Sequence, residues 1–274
     1  CKMAAAGTHP DIIQLVLYYV MLISMTFFIK VNKYKYCLIA FLSCTLLLCC
    51  LNLKFIGHDL EIISFDVQNA DAFLIKTPEN KYFFIDTGKG AFRSGNTQAK
   101  IILLKYLKDN GIKNINGIIV THFDSDHSGG AVDLIKNLNV EKLYLNTTDQ
   151  NTQTAKDIFN AVSDIGQDVI ITQNNKEIYS EKDLLIKTYK AEIGGVDASN
   201  AQSTITLLSY KKFNMLFMGD AGIESFNKVK KYIPQNIEVL KVGHHGGPNV
   251  VDTQMIEYLN NDVSLLSTGI NHFG

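Results

Sequence analysis

Six consecutive residues, His122-Phe-Asp124-Ser-Asp126-His127, carry four side chains of the types that bind metal ions. Packed this closely they are electrostatically costly alone, because Asp124 and Asp126 repel each other and need positive charge to share a confined loop. A divalent cation supplies that charge. Gly129-Gly130 follow at once and let the chain turn tightly into a helix. The segment is therefore read as a metal site. A lone Asp at a strand end is ordinarily an N-cap or turn residue, so the other acids need support from their placement.

That placement comes from the surrounding elements. From Gly57 onward, short apolar stretches predict strands at 61–65, 72–77, 81–85, 117–120, 142–145, 168–171, 184–189, 204–210, 215–218, 238–242 and 263–267. Amphipathic stretches between them predict helices at 97–110, 128–138, 151–165, 222–232 and 252–260. Thr77-Pro78-Glu79-Asn80 is a turn, which makes the strands on either side of it antiparallel. Five strands run into Asp or His. They lead to Asp66 (with Asp71 beyond), to Asp86-Thr87-Gly88, to the His122 loop, to Gly219-Asp220 and to Gly243-His244-His245-Gly246-Gly247. Strand ends that share one edge would bring these residues to a single cleft, where ligand sites form.

Charge and cysteine divide the chain. Residues 1–54 hold Lys2, Lys30, Lys33, Lys35 and Lys54 against Asp11, a net charge of +4. The remaining 220 residues hold 21 of the 26 basic and 26 of the 27 acidic residues, a net −5. Such a split indicates two pieces with different surroundings. Cys1, Cys37, Cys44, Cys49 and Cys50 all lie in the first 50 residues. The later part therefore has neither a disulfide nor a thiolate metal ligand. The chain starts with Cys and stops at Phe273-Gly274 without a terminal element, and is read as an excerpt of a longer protein.

Residues 12–29 form an uncharged stretch of 18, enough for a helix of roughly 27 Å against a hydrocarbon thickness of ~30 Å. Residues 36–53 form a second, richer in Leu, Ile and Cys, and Lys30-Val-Asn-Lys-Tyr-Lys35 separates them. A signal peptide has one short apolar core behind a basic start, and a buried hairpin has a polar face. Two long cores with no polar face predict a transmembrane helical hairpin over 1–56, with a hydrolase domain over 57–274. The lysine-rich loop stays cytoplasmic, which places everything after Gly57 on the extracytoplasmic side of the cell membrane.

The motif H-x-D-x-D-H between strand and helix, preceded by Asp86-Thr87-Gly88 and followed by Gly219-Asp220, resembles the metallo-β-lactamase superfamily. The resemblance implies an α/β fold, a four-layer αββα sandwich with a two-metal site at one edge of its central sheets. A narrower likeness covers nearly the whole chain. Phe65-Asp66-Val67 with Asp71-Ala72, Thr121-His122, His127-Ser128-Gly129-Gly130, Asn200-Ala-Gln-Ser203, Met218-Gly219-Asp220-Ala221-Gly222 and Leu240-Lys241-Val242-Gly243-His244-His245-Gly246 look like the ComEC family of DNA-internalisation competence proteins. That family sets this domain directly behind its last membrane helices. Three departures stand out. Gln68-Asn69-Ala70 lacks the glycines of the family's D-V-G-Q-G-D. Asp124 stands where the superfamily has His. The family pattern continues past Asn271-His272-Phe273-Gly274 into a His-Pro, so the resemblance implies one more His that would complete the site and that the given residues do not include.

Imidazoles and carboxylates without thiolate suit zinc, and three carboxylates also suit manganese, so the expected cofactors are two divalent ions. Asp220 is the natural bridge, with His122 and Asp124 on one metal and Asp126 and His127 on the other. His244 completes the metal set unless the downstream His does so. Catalytic roles fall to Asp126 and to His245, which would contact a substrate phosphate or protonate the leaving oxygen. Ions ~3.5–4 Å apart stabilise both attacking and leaving oxygens of a phosphodiester. Asp86 braces the metal loop, Asn200 and Ser203 are ligand, substrate or turn residues, and Asp66 and Asp71 are supporting candidates. The resulting reading is a membrane-anchored nuclease or phosphodiesterase acting on DNA as part of a transmembrane DNA channel, its other partner being membrane lipid. The net −5 confines phosphate attraction to local patches, for which Lys100, Lys105, Lys108, Lys113 and Arg93 are candidates. The alternatives are hydrolysis of another ester, such as a phosphocholine ester or lactone, and a metal-free cap of a DNA channel.

Overall fold

The computed structural model describes residues 12–31, 33–55, 59–91, 95–193 and 198–269. Lys2, Asp11, Arg93 and residues 271–274, all invoked above, lie outside the described residues, as does the side chain of Lys54. The chain forms two compact units that part at Asp59 and Leu60.

The first unit is a pair of helices, α1 (Ile12–Val31) and α2 (Tyr34–Phe55), packed against each other with Phe27 and Tyr36 stacked at 5.5 Å. Its burial runs opposite to that of a water-soluble helix pair. Leu15, Val16, Ile23, Phe41, Leu42 and Leu46 are exposed, while Gln14, Ser24 and Ser43 are buried. Hydroxyl groups fold back onto their own helices, Thr26 donating to the Leu22 carbonyl and Ser43 to that of Ala40. Among the described residues, Ile12–Val31 is long and apolar enough to cross a membrane, and Tyr34–Leu48 is a shorter apolar helical stretch.

Among the described residues, the second unit holds fourteen strands and the remaining helices. In chain order the strands are β1 (Glu61–Ser64), β2 (Phe73–Lys76), β3 (Tyr82–Ile85), β4 (Asn114–Ile115), β5 (Gly117–Val120), β6 (Asn139–Val140) and β7 (Leu143–Leu145). They continue with β8 (Val169–Ile171), β9 (Lys176–Glu181), β10 (Leu184–Tyr189), β11 (Ile205–Tyr210), β12 (Phe213–Phe217), β13 (Val239–Lys241) and β14 (Val263–Leu265). The helices are α3 (Leu104–Asp109), α4 (Ser125–Ser128), α5 (Ala131–Asn137), α6 (Gln153–Ile165), α7 (Ala198–Ala201), α8 (Ile223–Val229) and α9 (Thr253–Leu259). One six-stranded sheet has the order β1-β2-β3-β5-β7-β8, the other six-stranded sheet β14-β13-β12-β11-β10-β9, and β4 and β6 form a separate parallel pair. The turn at Thr77 does join an antiparallel pair, with Phe73 opposite Ile85.

Period-two alternation explains the layering. Phe73, Ile75, Phe83, Ile85 and Ile119 from the first sheet meet Ile186, Leu208, Met215 and Phe217 from the second. The intervening residues Leu74, Phe84, Ile118 and Val120 turn outward onto α5 and α6, and Leu216 and Leu240 turn outward onto α8 and α9. Three apolar layers between four layers of structure make the αββα sandwich. Each large side chain fully buried in them contributes roughly 1.5–3 kcal/mol.

Several elements differ from the pattern reading. Lys176–Glu181 is an edge strand whose exposed charged residues hide the apolar alternation, as suits a sheet edge. The helix expected at 97–110 opens as a π-helical segment, Ala99–Leu103. The helix expected at 128–138 is split around Gly129-Gly130 into α4 and α5. These glycines have right-handed φ values of −63° and −93°, so the turn itself does not require them. Space does. A Cβ on Gly129 would lie 2.0 Å from the Gly90 nitrogen, and one on Gly130 would lie 2.3 Å from the Thr87 carbonyl. The His122–His127 loop is thereby pressed against the Asp86 loop.

Candidate metal centre

Parallel pairing brings strand ends to one edge in both sheets. Ile85 is level with Ile119, so β3 and β5 deliver Asp86 and the His122 loop side by side. Phe217 is level with Lys241, so β12 and β13 deliver Asp220 and the His244-His245 turn together. Gly219, at φ +56°, lets the second sheet come close, since a Cβ there would lie 2.9 Å from that of Thr121.

Asp86 organises the imidazoles. Its Oδ1 accepts from the Thr121 nitrogen at 2.8 Å, and its Oδ2 accepts from the Thr121 hydroxyl at 2.8 Å and from His127 Nδ1 at 2.7 Å. Having donated its proton to Asp86, the Thr121 hydroxyl accepts from His122 Nδ1 at 3.1 Å. His245 Nδ1 is held by the Ser267 carbonyl at 3.0 Å. With each Nδ1 occupied, each Nε2 is left facing carboxylates. His127 Nε2 lies 3.0 Å from Asp220 Oδ1, His122 Nε2 lies 3.6 Å from Asp220 Oδ2 and from Asp124 Oδ2, and His245 Nε2 lies 3.3 Å from Asp126 Oδ2.

Three of these atoms, His122 Nε2, His127 Nε2 and Asp220 Oδ1, are buried without a well-aimed hydrogen bond despite their proximity. Buried polar groups are almost always satisfied, so orphaned ligand-type atoms aimed at one point suit an ion. His122, His127 and Asp220 offer atoms within 4.8 Å of one another, as do Asp126, His127 and His245. The donor set, imidazole nitrogen and carboxylate oxygen, matches divalent metals.

The charges are tightly coupled. Burial opposes a charge on His127, but Asp86 and Asp220 outweigh it and hold the ring's pKa well above its usual 6.5. Burial pushes Asp126 up, but the His245 hydrogen bond and the His127 charge dominate and hold it at about 2. Asp220 is lowered further, against its own burial, by His127 and His122. Without metal, a proton on His127 takes the place of the cation that the carboxylates demand.

Residues 66–269 match the model of the metallo-beta-lactamase superfamily. The chain belongs to that superfamily. The superfamily's fold binds divalent metals, which the donor set gathered here suits. It is 23% identical to ComE operon protein 3 of Bacillus subtilis (strain 168) over 96% of its own length, and 26% identical to Recombination protein 2 of Haemophilus influenzae over 76%. It spans 35% and 24% of those two relatives, so about a third and a quarter of each. A mutant of the CmlA beta-hydroxylase shares the fold, with a TM-score of 0.51 at 13% identity, covering 77% of this chain and 46% of that one.

Within the superfamily sandwich the structure sorts the residues singled out from sequence. It gathers His122, Asp124, Asp126, His127, Asp220 and His245, with Asp71 and Asp86 behind them. Asp124 precedes α4 but makes no side-chain cap, which leaves its carboxylate available. His244 is exposed, while His245 turns toward Asp126; both have left-handed backbones, with φ +44° and +53°. Such strain in adjacent non-glycine residues is typical of functional turns. Asp66 is an exposed turn residue accepting from the Gln68 nitrogen. Asn200 is half-buried, its carbonyl accepting from the Ser203 nitrogen, and Ser203 is buried with its hydroxyl unpartnered. Of the lysine patch, Lys100 pairs with Asp133 at 3.3 Å, and Lys105, Lys108 and Lys113 are exposed.

Sequence reasoning missed two residues. Thr121 relays Asp86 to His122, and nothing in its type signals that. Lys241 is 1% exposed and paired with Asp71. A lysine inside the apolar run Val239-Leu240-Lys241-Val242 was the available signal.

Proposed function

We propose that this chain is the hydrolase end of a membrane-anchored DNA-uptake protein, cleaving phosphodiesters of DNA at a two-metal centre. The observation that carries the two-metal part is Asp220, whose two oxygens face two different histidines. His122 and Asp124 would hold one ion, Asp126, His127 and His245 the other, and Asp220 would join them. Bound there, zinc or manganese would supply Lewis-acid stabilisation of the charge that develops in hydrolysis. The chain's own part is orientation. Asp86 and Thr121 fix the Nδ1 protons of His127 and His122, and Ser267 fixes that of His245. His244, exposed on its strained turn, would contact a substrate phosphate or the leaving oxygen, the role expected of His245 from the sequence.

DNA as substrate rests on the ComEC-like motifs and on relatives named for the ComE operon and for recombination. Membrane anchoring rests on the helix pair, whose outward Leu, Ile and Phe and inward Gln14, Ser24 and Ser43 suit lipid as solvent. Purified full chain in detergent, reconstituted with Mn²⁺ or Zn²⁺, should cut single-stranded DNA. Turnover of a phosphocholine ester or lactone but not DNA would reassign the substrate, and neither bound metal nor turnover would favour the metal-free cap. For sidedness, a sole cysteine at exposed Asn160 should react with a membrane-impermeant reagent in cells with an intact inner membrane. Labelling only after that membrane is broken would put the sandwich in the cytoplasm.

A further inference from the structure

Lys241 closes β13 on the same face as Val239, which packs into the apolar layer between the sheets. An isolated ammonium there is costly, and its partner is the buried Asp71, whose Oδ2 receives the Nζ proton. Asp71 is tied to both loops of the site. Its nitrogen donates to the Asp126 carbonyl at 3.1 Å, and its carbonyl accepts from the Gly88 nitrogen at 2.8 Å. Its Oδ2 also lies 3.6 Å from His127 Nδ1, the nitrogen that Asp86 holds at 2.7 Å. Two buried carboxylates therefore flank one N–H, and Asp71 Oδ1 has no hydrogen-bond partner.

We propose that Lys241 is a positioning residue of the metal centre: by engaging Asp71 it keeps that carboxylate from taking the His127 Nδ1 proton from Asp86. Asp86 then sets the ring so that Nε2 faces Asp220. Lys241 belongs to the second sheet and His127 to a loop of the first, so a ligand of one sheet is aimed only when the other is docked. The inference rests on the metal-centre reading above.

The test is Mn²⁺ affinity of the full chain in detergent, measured by titration calorimetry, beside thermal melting without metal. Wild type should bind Mn²⁺; a wild type that binds none overturns the metal reading and this inference with it, before any substitution is made. Lys241→Met should bind about 10- to 100-fold more weakly, the usual cost of losing a group that orients a ligand. Lys241→Arg, which keeps the charge, and the double variant Asp71→Asn/Lys241→Met, which removes the competing carboxylate, should recover to within about threefold. An ion pair that merely holds the sheets together predicts lower melting temperatures with unchanged affinity in the folded protein. The proposal is overturned by a folded Lys241→Met with wild-type affinity, by a double variant as weak as the single, or by failure of all three variants to fold.

Discussion

The two sheets serve one cleft by different means. The first contributes one six-residue loop carrying His122, Asp124, Asp126 and His127, which the proposed centre would use as a chelate, pressed into place by glycines and braced by Asp86 on the adjacent strand. The second contributes single side chains from separate strand ends, Asp220 after β12, then Lys241 and His245 at and after β13. Local ligands keep their spacing through small movements of the fold, whereas convergent ones depend on how the sheets dock. Metal affinity should therefore be concentrated in the first sheet, and the fine geometry of the site in the second.

The largest expected effect breaks the chelate. Asp126→Ala removes a carboxylate shared between His245 and the metal loop, and should leave elemental analysis of purified protein short of metal. Activity should fall roughly a thousandfold, about 4 kcal/mol of lost stabilisation. Unchanged metal content in this variant would sink the mechanism.

Next in size is the brace. Asp86→Asn should weaken metal binding by about 10- to 100-fold with all ligands intact. The metal-free protein offers an independent reading. His127 has a raised pKa, so its charge contributes stability that is fully present below 6.5 and is lost as pH rises through the folded value. Thermal melts in EDTA should show wild type losing stability with rising pH and Asp86→Asn losing less, because Asp86 is the first charge sustaining that shift. Identical pH profiles would remove Asp86 from the role given to it.

What was legible in the sequence follows the same division. The His122–His127 loop stood out because its four ligand-type residues are adjacent, so grouping them needed no three-dimensional information. Asp86 and Asp220 could be read as residue types at strand ends, because parallel strands put those ends on one edge. The order of His244 and His245 could not. A left-handed turn decides which of two neighbouring rings points inward, so His244, expected among the ligands, faces solvent while His245 turns in, and residue order alone carries no φ angle. Lys241 escaped because a lone lysine in an apolar strand acquires meaning only from the buried carboxylate opposite, 170 residues away in the chain. β9 escaped for a plainer reason: an edge strand exposes enough charge to lose its apolar pattern.

That turn gives a smaller but sharper comparison within the second sheet. His245→Ala should cost about tenfold in metal affinity, ~1.4 kcal/mol, because Asp126, His127 and Asp220 remain. His244→Ala should leave affinity unchanged and lower kcat/KM. The reverse pattern in paired titrations and kinetics would show that the rings exchange places when metal binds.

The smallest effect expected is a change of preference rather than of strength. The Asp124 carboxylate is 42% exposed and lies 3.6 Å from His122 Nε2, so it meets the centre at its solvent side. Its side chain caps nothing, and the bonds from His127, Ser128 and the Ser128 hydroxyl all go to its main-chain carbonyl. Asp124→His should therefore leave the fold and the rest of the ligand set undisturbed. Imidazole is softer than carboxylate, so the zinc-to-manganese affinity ratio should rise by about tenfold. Competitive titration of the two metals against one sample measures that ratio directly. A ratio that stays level would place Asp124 outside the coordination sphere and leave the first sheet's chelate with His122, Asp126 and His127.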